Sequence, residues 1–361
     1  MAPRESGSPG LDPEVRTVKV LVTGGAGFIG SHIVDALCDR GHEVICIDSL
    51  DPGVYQAPPS YLNSKAQYCF VDLRYWKPDT RFDDVEAVVH LAALGGVSRA
   101  AREPENIIGA NCGGAARLAE AARSWACLRS LILASSFSVY GANYTYRCKS
   151  CGRERNAHRE IGDLEKNRFE VICRQCGSET EILPVTESAS PAPLETYGAS
   201  KYMQELCFRG FTRCPVHILR FSSVYGKRLR LDDGEATIIA KLAGWVRSGV
   251  RPKLFEDGRQ IRDWVYVGDV VAAVLALLDG KPAPLLVNVC SGTPTTLVEA
   301  CNTISRVLRV DCPPEIVGGF RQGDMRHCLG DASTLRCLIG RDPVPFSEGA
   351  ALAFGSLASD S

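Results

Sequence analysis

The chain has 361 residues, of which 45% are hydrophobic, and its formal net charge at pH 7 is -1. This length allows a substantial core, and the balanced charge excludes the strongly basic surface of a nucleic-acid-binding protein. No apolar run reaches the roughly eighteen residues of a membrane span, and the N-terminus lacks a signal-peptide core. We therefore expect a globular cytoplasmic protein that binds neither nucleic acid nor membrane.

A strand, a glycine-rich turn and a helix follow residues 1–16, whose Pro, Gly and Ser content predicts a disordered tail. The stretch VKVLVTGGAGFIGSH passes from an apolar run through three spaced glycines into a helical pattern. Such glycines permit a tight turn and close approach to a pyrophosphate, which the free N–H groups of the helix start then face. The turn predicts a dinucleotide site, with candidate contacts Gly24, Gly27, Phe28, Ile29 and Gly30.

The next strands extend this predicted site. Asp48 ends the strand at 44–47, where its carboxylate can accept both adenosine ribose hydroxyls and would repel a 2′-phosphate. We therefore expect NAD rather than NADP, the alternative being a solvated loop Asp. Asp72 ends a short strand at 67–71 and could receive the adenine amino group or simply close a turn. The remaining candidate cofactor contacts are Leu73 and, after the strand at 87–91, Leu91, Ala92 and Ala93.

Apolar strands alternate with helical patterns, including 107–123 and 194–211. This alternation predicts an α/β fold, a Rossmann-type doubly wound parallel sheet. The short strands and helices mixed with loops near the C-terminus predict a smaller α/β substrate-binding lobe, and two cysteine pairs described below predict an inserted zinc ribbon. Ligands then gather at the carboxyl ends of the strands. The predicted units are the Rossmann domain (17–141 and 184–225), the insertion (142–183), a mainly substrate-binding lobe with segments that return to the Rossmann domain (226–345), and a tail (346–361).

Tyr197 and Lys201 stand four residues apart in YGASK, so both project from one helix face. A phenol has a pKa of about 10, and a neighbouring ammonium and nicotinamide cation favour the phenolate. Such a Tyr can act as a general base, and Ser136, after the strand at 131–134, can share a hydrogen bond with the same substrate hydroxyl. Outside a nucleotide-binding fold, an ordinary helix surface is the alternative interpretation.

The 16 cysteines are expected to be reduced, because the chain is long and leaderless. Most, such as Cys38 and Cys46, lie in apolar patterns as small core residues. Four form two CxxC pairs, each followed by Gly: Cys148, Cys151, Cys173 and Cys176. This arrangement predicts a structural zinc ribbon, the alternatives being a redox pair or incidental cysteines. Because Tyr146 and Phe169 are among few large apolar groups there, we expect zinc to order the segment.

Several motifs occur in the order typical of the extended short-chain dehydrogenases/reductases that act on nucleotide sugars, and the chain resembles that family. They are TGGAGFIGSH, HLAA at 90–93, SSFSVYG at 135–141, YGASK at 197–201, LRFSSVYG at 219–226 and FEDGRQIRDWVYVGDV at 255–270. The insertion and the stretch GDMRHCLGDAS are similar to the dTDP-L-rhamnose 4-epimerase-like subgroup. The resemblance implies bound NAD and a homodimer formed through the helices at 107–123 and 194–211.

The resemblance also implies residue roles. The catalytic set falls on Tyr197, Lys201 and Ser136, and Arg262 grips the sugar-nucleotide diphosphate, for which a guanidinium is suited. Further candidate substrate contacts are Ser138, Ser223 and Arg326, the last with a plain surface charge as its alternative. Ser223 replaces a usual Asn and Cys290 a usual Gly, so the identity of the sugar stays open.

The residues after Ser136 bear on the reaction. The resembling 4,6-dehydratases carry an Asp-Glu pair where this chain has Phe137 and Ser138, and this pair offers no strong acid or base for eliminating water. We therefore predict a 4-epimerase that works through a transient 4-keto sugar on a dTDP- or UDP-linked substrate, with tightly bound, recycled NAD. The alternatives are a 4-ketoreductase or dehydrogenase, a 4,6-dehydratase, and a non-catalytic nucleotide-sensing or scaffold protein.

Overall fold

The computed structural model describes residues 16–156, 159–231, 237–321 and 324–359. Apart from Arg16, the predicted disordered tail lies outside the described residues. The strands are β1 (Lys19–Thr23), β2 (Glu43–Asp48), β3 (Gln67–Phe70), β4 (Ala87–His90), β5 (Ser130–Ser136), β6 (Thr145–Cys148), β7 (Glu154–Asn156), β8 (Thr180–Ile182), β9 (Val216–Phe221), β10 (Ser223–Tyr225), β11 (Lys253–Phe255), β12 (Ile261–Tyr266), β13 (Leu286–Val289), β14 (Pro294–Thr296) and β15 (Glu315–Gly318).

The helices are α1 (Phe28–Asp39), α2 (Val97–Arg102), α3 (Pro104–Ile108), α4 (Gly114–Ala122), α5 (Ile161–Leu164), α6 (Thr196–Arg209), α7 (Ile238–Arg247), α8 (Val267–Leu278), α9 (Leu297–Leu308), α10 (Ser333–Ile339) and α11 (Phe346–Phe354). A π-helical turn, Gly109–Gly113, joins α3 to α4. Within the described ranges, no helix is long and apolar enough to span a membrane.

A seven-stranded parallel sheet in the order β13-β9-β5-β4-β1-β2-β3 forms the centre of the molecule. Its inner strands are buried on both faces, which explains their continuous apolar runs. One face packs on α1 and α8 and the other on α4 and α6, each with its own core. The predicted Rossmann-type fold is confirmed, and the carboxyl ends of the strands meet at one edge.

The smaller lobe contains a three-stranded sheet, β10-β12-β14, and a two-stranded sheet, β11-β15. Its core lies among α7, α9 and α11 and includes the fully buried Trp264. Three elements between 226 and 345 belong to the Rossmann domain: α8 packs on α1, β13 forms one edge of the central sheet, and α10 packs in the same core as α8. The lobe therefore stands beside the carboxyl ends of the central strands.

Residues 346–361 are not a tail over their described part. They form α11 and a 3₁₀ turn, Gly355–Ser359, and α11 buries Phe346 and Phe354 against the lobe. The Phe346 ring lies 5.2 Å from that of Tyr225, centroid to centroid. A Cβ added at Gly349 would meet the Tyr225 hydroxyl at 2.0 Å, so only glycine permits this close packing. The prediction of a tail was wrong because the apolar spacing there is helical and completes the lobe core.

The insertion forms an antiparallel sheet, β7-β6-β8, that packs against the body of the protein. Tyr144, Tyr146 and Val171 are buried in one cluster with Phe137 and Cys290. We expected that only a metal could order this segment, since it has few large apolar groups. The structure differs in that these groups join a core supplied mainly by the rest of the chain.

Candidate active site

A cavity of about 980 Å³ opens at the carboxyl ends of the central strands. A Cβ at Gly30 would lie 2.0 Å from the Gly24 carbonyl oxygen, and Gly24 itself has φ +74°. These glycines therefore bring the start of α1 to the cavity, where its free N–H groups fit a pyrophosphate. All predicted cofactor contacts line this cavity: Gly24, Gly27, Phe28, Ile29, Gly30, Asp48, Asp72, Leu73, Leu91, Ala92, Ala93, Tyr197 and Lys201.

Asp48 lies at the end of β2 with each carboxylate oxygen on one backbone donor. Oδ2 accepts from the Ala26 N–H at 3.0 Å and Oδ1 from the Leu50 N–H at 2.9 Å. Burial raises the pKa of this carboxyl, and the two hydrogen bonds oppose that rise. Each oxygen can accept a further bond, so the geometry fits a pair of ribose hydroxyls.

Asp72 carries more partners than predicted. Its carboxylate forms an ion pair with Arg74, with Nη2 2.6 Å from Oδ2, and also accepts the Arg74 backbone N–H at 2.8 Å. These bonds lower the pKa of Asp72, chiefly through the Arg74 side chain. The contacts are those of a turn aspartate, and an adenine contact at Asp72 stays a prediction.

Tyr197 lies in the first turn of α6, beside Ser136 at the end of β5 and the loop that follows it. Glu195 caps this helix and accepts from the Tyr197 and Gly198 N–H groups at 2.6 and 2.8 Å. A Cβ on Gly198 would lie 2.5 Å from the Ser138 carbonyl oxygen, so glycine allows the helix start to meet that loop. The structure thereby brings the Tyr197 phenol beside Ser136, whose hydroxyl lowers the pKa of that phenol. Sequence reasoning missed Glu195, whose only signal is its place two residues before the Tyr.

The phenol of Tyr197 is not activated by the protein alone. Burial raises the pKa of Tyr197 to about 12, although the Ser136 hydroxyl lowers it in part. Burial lowers the pKa of the Lys201 ammonium to about 8, against a raising effect of Glu205. The predicted phenolate therefore requires more positive charge than the chain itself brings to the phenol, and a nicotinamide cation is the group that would add it.

Two buried amides that sequence reasoning missed hold the lysine. The Lys201 Nζ donates to Gln204, whose Nε2 donates to the carbonyls of Ala92 at 3.3 Å and Asn111 at 3.2 Å. The Asn111 side chain in turn bonds to both backbone groups of Leu94 and to Ser200 on α6. The amides thus tie the loop after β4 to the catalytic helix.

Asn111 faces inward because the chain is π-helical at Gly109–Gly113. A single continuous helix was predicted at 107–123, and the structure corrects it to α3, this turn and α4. Single π turns inside α-helices, as here, are frequent at functional sites. The neighbouring glycines are the only hint of it in the sequence.

Arg262 on β12 is half buried, and its guanidinium donates to main-chain carbonyls: to Ile261 at 2.8 Å, Arg326 at 3.1 Å and Met325 at 3.3 Å. Among the described residues no carboxylate pairs with it. An arginine held by neutral carbonyls keeps its charge for an anionic ligand, as the predicted diphosphate contact requires.

The other predicted substrate contacts fare differently. Ser138 donates its N–H to the Ser136 hydroxyl at 3.1 Å, and Ser223 lies on β10 opposite Trp264. Among the described residues that line the cavity, neither occurs, and Ser136 and Arg262 are likewise not among them. Their contact with the sugar stays a prediction.

Arg326 does not face a ligand site. Its side chain is fully buried, with Nη1 2.6 Å from Glu256 and 2.8 Å from Asp257, and Nη2 bonded to Asp257 and to Glu170 of the insertion. With three carboxylates around it, this guanidinium cannot serve the diphosphate. The predicted substrate role was wrong because its partners lie far away in the chain and leave no sequence signal.

Phe137 and Cys290, which distinguish this chain from related sequences, are core residues. Both are buried, and a Cβ on Gly330 would lie 2.5 Å from the Phe137 ring and 2.7 Å from the Cys290 sulfur. Because Cys290 lies in the core, it has no contact through which it could alter the orientation of the sugar. Position 137 offers the site no acid or base.

The four CxxC cysteines converge at the tip of the insertion. The Sγ atoms of Cys148 and Cys176 are 3.5 Å apart, those of Cys151 and Cys173 are 3.7 Å apart, and all four lie within 4.8 Å of one another. Tetrahedral zinc with bonds of about 2.3 Å places its sulfurs about 3.8 Å apart, so the set fits that ion. None of the 16 cysteines, all of which the structure describes, forms a disulfide.

The fold and the site together define the class of this protein, an extended short-chain dehydrogenase/reductase. The defining features are the parallel Rossmann sheet, the glycine turn at the cofactor cavity and the Tyr/Lys pair on the helix beside it. The model of the NAD dependent epimerase/dehydratase family matches residues 20–290. The chain belongs to this family.

The chain is similar to the dTDP-L-rhamnose 4-epimerase of Burkholderia thailandensis, with 30% identity over 339 residues that cover 90% of each chain. Among solved structures it is similar to the UDP-N-acetylglucosamine 4-epimerase of Methanobrevibacter ruminantium, in complex with UDP-N-acetylmuramic acid. The TM-score is 0.77 at 26% identity, covering 96% of this chain and 100% of the other. The UDP-glucose 4-epimerase of Thermus thermophilus, in complex with NAD, gives 0.71 at 27% identity, covering 95% and 100%.

Proposed function

We propose that the protein is an NAD-dependent nucleotide-sugar 4-epimerase that acts on a dTDP- or UDP-linked sugar. The observation that carries this proposal is Tyr197, which lines the dinucleotide cavity with Ser136 beside its phenol and with no acid at the two positions after that serine. The similarity to 4-epimerases of dTDP- and UDP-sugars supports it.

The side chains suit a reversible oxidation at C4. Bound NAD supplies the hydride acceptor and later the donor. Tyr197 removes the proton of the 4-hydroxyl, and Ser136 donates a hydrogen bond to the same oxygen as charge develops on it. Arg262 holds the diphosphate while the 4-keto sugar turns its other face to the cofactor. Tyr197 then returns the proton, and C4 is inverted.

The test is to incubate the purified protein with a panel of dTDP- and UDP-sugars and follow the products by NMR and mass spectrometry. A 4-epimerase changes the spectrum without changing the mass. A dehydratase lowers the mass by one water, and a ketoreductase requires added reduced cofactor. Retention of NAD through purification at about one per chain separates the epimerase from the reductase, while a protein with no turnover on any substrate would be the scaffold alternative.

Cofactor choice gives a prediction at Asp48. Replacing Asp48 with Ser should weaken NAD binding by roughly ten- to hundredfold, because a charged hydrogen bond is worth about 1.5 to 3 kcal/mol. NADP should bind more tightly than before, since its 2′-phosphate no longer meets a like charge. Titration of both cofactors measures the effect, and Asp83→Ser, an exposed carboxylate outside the cavity, is the control. Equal affinities in Asp48→Ser and the parent protein would reject the ribose contact.

The homodimer is also part of this proposal. The two predicted interface segments carry large exposed apolar side chains, Ile108, Leu194 and Met203. Light scattering should give twice the chain mass of 39.1 kDa, and Met203→Glu should shift the protein towards the monomer by placing a charge in the interface. Leu352→Glu, at an apolar residue equally exposed on α11, is the control. A parent protein of monomeric mass at micromolar concentration would end this prediction.

A further inference from the structure

The substrate arginine is fixed in two separate ways. The main chain of β12 is anchored by the buried Asp263, which accepts from the N–H groups of Ser291, Gly292 and Gly330 at 2.7, 3.0 and 3.1 Å. The Arg262 guanidinium donates to one carbonyl of β12 itself, that of Ile261, and its direction is completed by two carbonyls from outside the strand, those of Met325 and Arg326. The residues that hold those two carbonyls in place therefore set the direction of the Arg262 guanidinium.

Segment 324–328 is neither helix nor strand, and side-chain bonds hold it together with main-chain bonds at its two ends, from the Asp324 N–H to the Arg321 carbonyl at 3.3 Å and from the Cys328 N–H to the Ile261 carbonyl at 3.1 Å. Arg326 lies between Glu256, Asp257 and Glu170. His327 Nδ1 accepts the Ile261 N–H at 3.0 Å, so its other nitrogen, Nε2, carries the proton that is donated to Glu170 at 3.0 Å. Of these carboxylates, Glu170 alone comes from the insertion, and it bonds both side chains.

The Glu170 carboxylate is well suited to this role. One oxygen receives the Arg326 guanidinium at 2.5 Å and the other receives the His327 ring. Burial tends to raise the pKa of Glu170, but the bonds from His327 and Arg326 outweigh it and lower that pKa to about 2. Glu170 is therefore ionised and bonded through both oxygens at neutral pH.

A second contact from the insertion reinforces the arrangement. Arg159 donates to Glu256 at 2.7 Å and to the Asp324 carbonyl at 2.6 Å. Glu256 adopts φ +55°, a left-handed conformation that costs energy in a residue other than glycine and persists only where surrounding contacts hold it. Two arginines, Arg159 and Arg326, bond its carboxylate.

We propose that Glu170 is a positioning residue for the nucleotide-sugar site: through Arg326 and His327 it fixes the two carbonyls that aim Arg262 at the substrate diphosphate. The insertion then contributes to substrate affinity without touching the substrate. This inference rests on the proposed function, since it takes Arg262 to be the diphosphate ligand. The role proposed for Glu170 concerns binding of the nucleotide sugar and not the proton transfer at Tyr197, because Tyr197 lies on another element.

The test compares Glu170→Gln with the parent full-length protein. The Gln side chain keeps the size of Glu but has no charge. Its NH₂ group also faces one of the two donors, Arg326 or His327, and cannot accept the hydrogen bond that the carboxylate accepted. We expect the Kd for UDP or dTDP, measured by calorimetry, to rise about tenfold, because Arg262 keeps its charge but loses its fixed direction. KM for the nucleotide sugar should rise in parallel while kcat and the Kd for NAD stay within about twofold. Glu154→Gln, an exposed carboxylate of the same insertion paired with Arg147, should change none of these values.

A double-mutant cycle separates positioning from general loosening. In an Arg262→Met background the tenfold effect of Glu170→Gln on nucleotide affinity should vanish, since no guanidinium is left to aim. If Glu170→Gln loses zinc or melts early, Glu170→Asp keeps the charge but cannot reach both partners, and the same weakening is expected. Parent affinity in a folded Glu170 variant, or an undiminished effect without Arg262, would overturn the inference alone. A parent protein that binds neither UDP nor dTDP would overturn the proposed function with it.

Discussion

Replacement of Tyr197 by Phe is expected to lower turnover by about 10²- to 10⁴-fold, the usual contribution of a positioned general base. The substitution removes one oxygen, so the interaction of the phenol with Ser136 is lost while the cap at Glu195 and the packing of α6 remain. NAD binding and thermal stability should be nearly unchanged. The measurement is the rate of 4-epimer formation per folded, NAD-loaded molecule.

The pH profile of this variant adds a second readout. Because burial raises the pKa of Tyr197 and the nicotinamide cation of bound NAD opposes that rise, the NAD-loaded parent should gain activity as the pH rises through the pKa of this phenol, where more phenolate is present. Tyr197→Phe should lose this alkaline rise. Tyr75→Phe, at a phenol that is 72% exposed, is the control and should keep it. Turnover close to that of the parent in Tyr197→Phe would show that another group is the base.

Cys173→Ser is expected to remove the metal and to lower the free energy of unfolding by about 4 kcal/mol, the linkage expected of a ligand present at about 1,000 times its Kd. The parent should contain about one zinc per chain, held by Cys148, Cys151, Cys173 and Cys176, which form a closed site that cannot activate water. Elemental analysis and thermal melts measure the two effects together. Cys127→Ser, at an exposed cysteine outside the cluster, should change neither.

Activity distinguishes a structural metal from a catalytic one. At saturating substrate, kcat per folded molecule of Cys173→Ser should match that of the parent, because the cysteines lie at the tip of the insertion and the catalytic Tyr on α6. Metal-free parent protein of full stability would refute the structural role. A folded variant without turnover would place the metal in the reaction.

The Rossmann half of the site could be predicted from the sequence because each of its sequence signals is local. The glycine turn, the Asp at the end of β2 and the Tyr/Lys pair each lie within one strand-to-helix unit, and their spacing alone brings them to the cavity. The two CxxC pairs are similar in kind, since thiols at that spacing have few other uses.

Features that depend on distant partners could not be read in this way. The place of Arg326 was predicted wrongly because the carboxylates that pair with it come from the insertion and from the loop after β11. The π-helical turn places one buried amide, that of Asn111, and its partners are likewise distant in the chain. The sharing of Tyr146 and Val171 with the body of the protein likewise needs tertiary structure. Residues 346–359 do carry a helical period, but only the lobe core explains why it forms there.

Glu170 bonds to Arg326 and His327, which lie 156 and 157 positions later in the chain. The ribosome therefore makes Glu170 well before it makes these two partners. All four cysteines leave the ribosome long before those partners exist, and at about 5 to 20 residues per second the interval is roughly ten to thirty seconds. During this time Tyr146 and Val171 lack much of the surface that later covers them. The four thiols, in contrast, are complete as a ligand set for a metal as soon as Cys176 has been made.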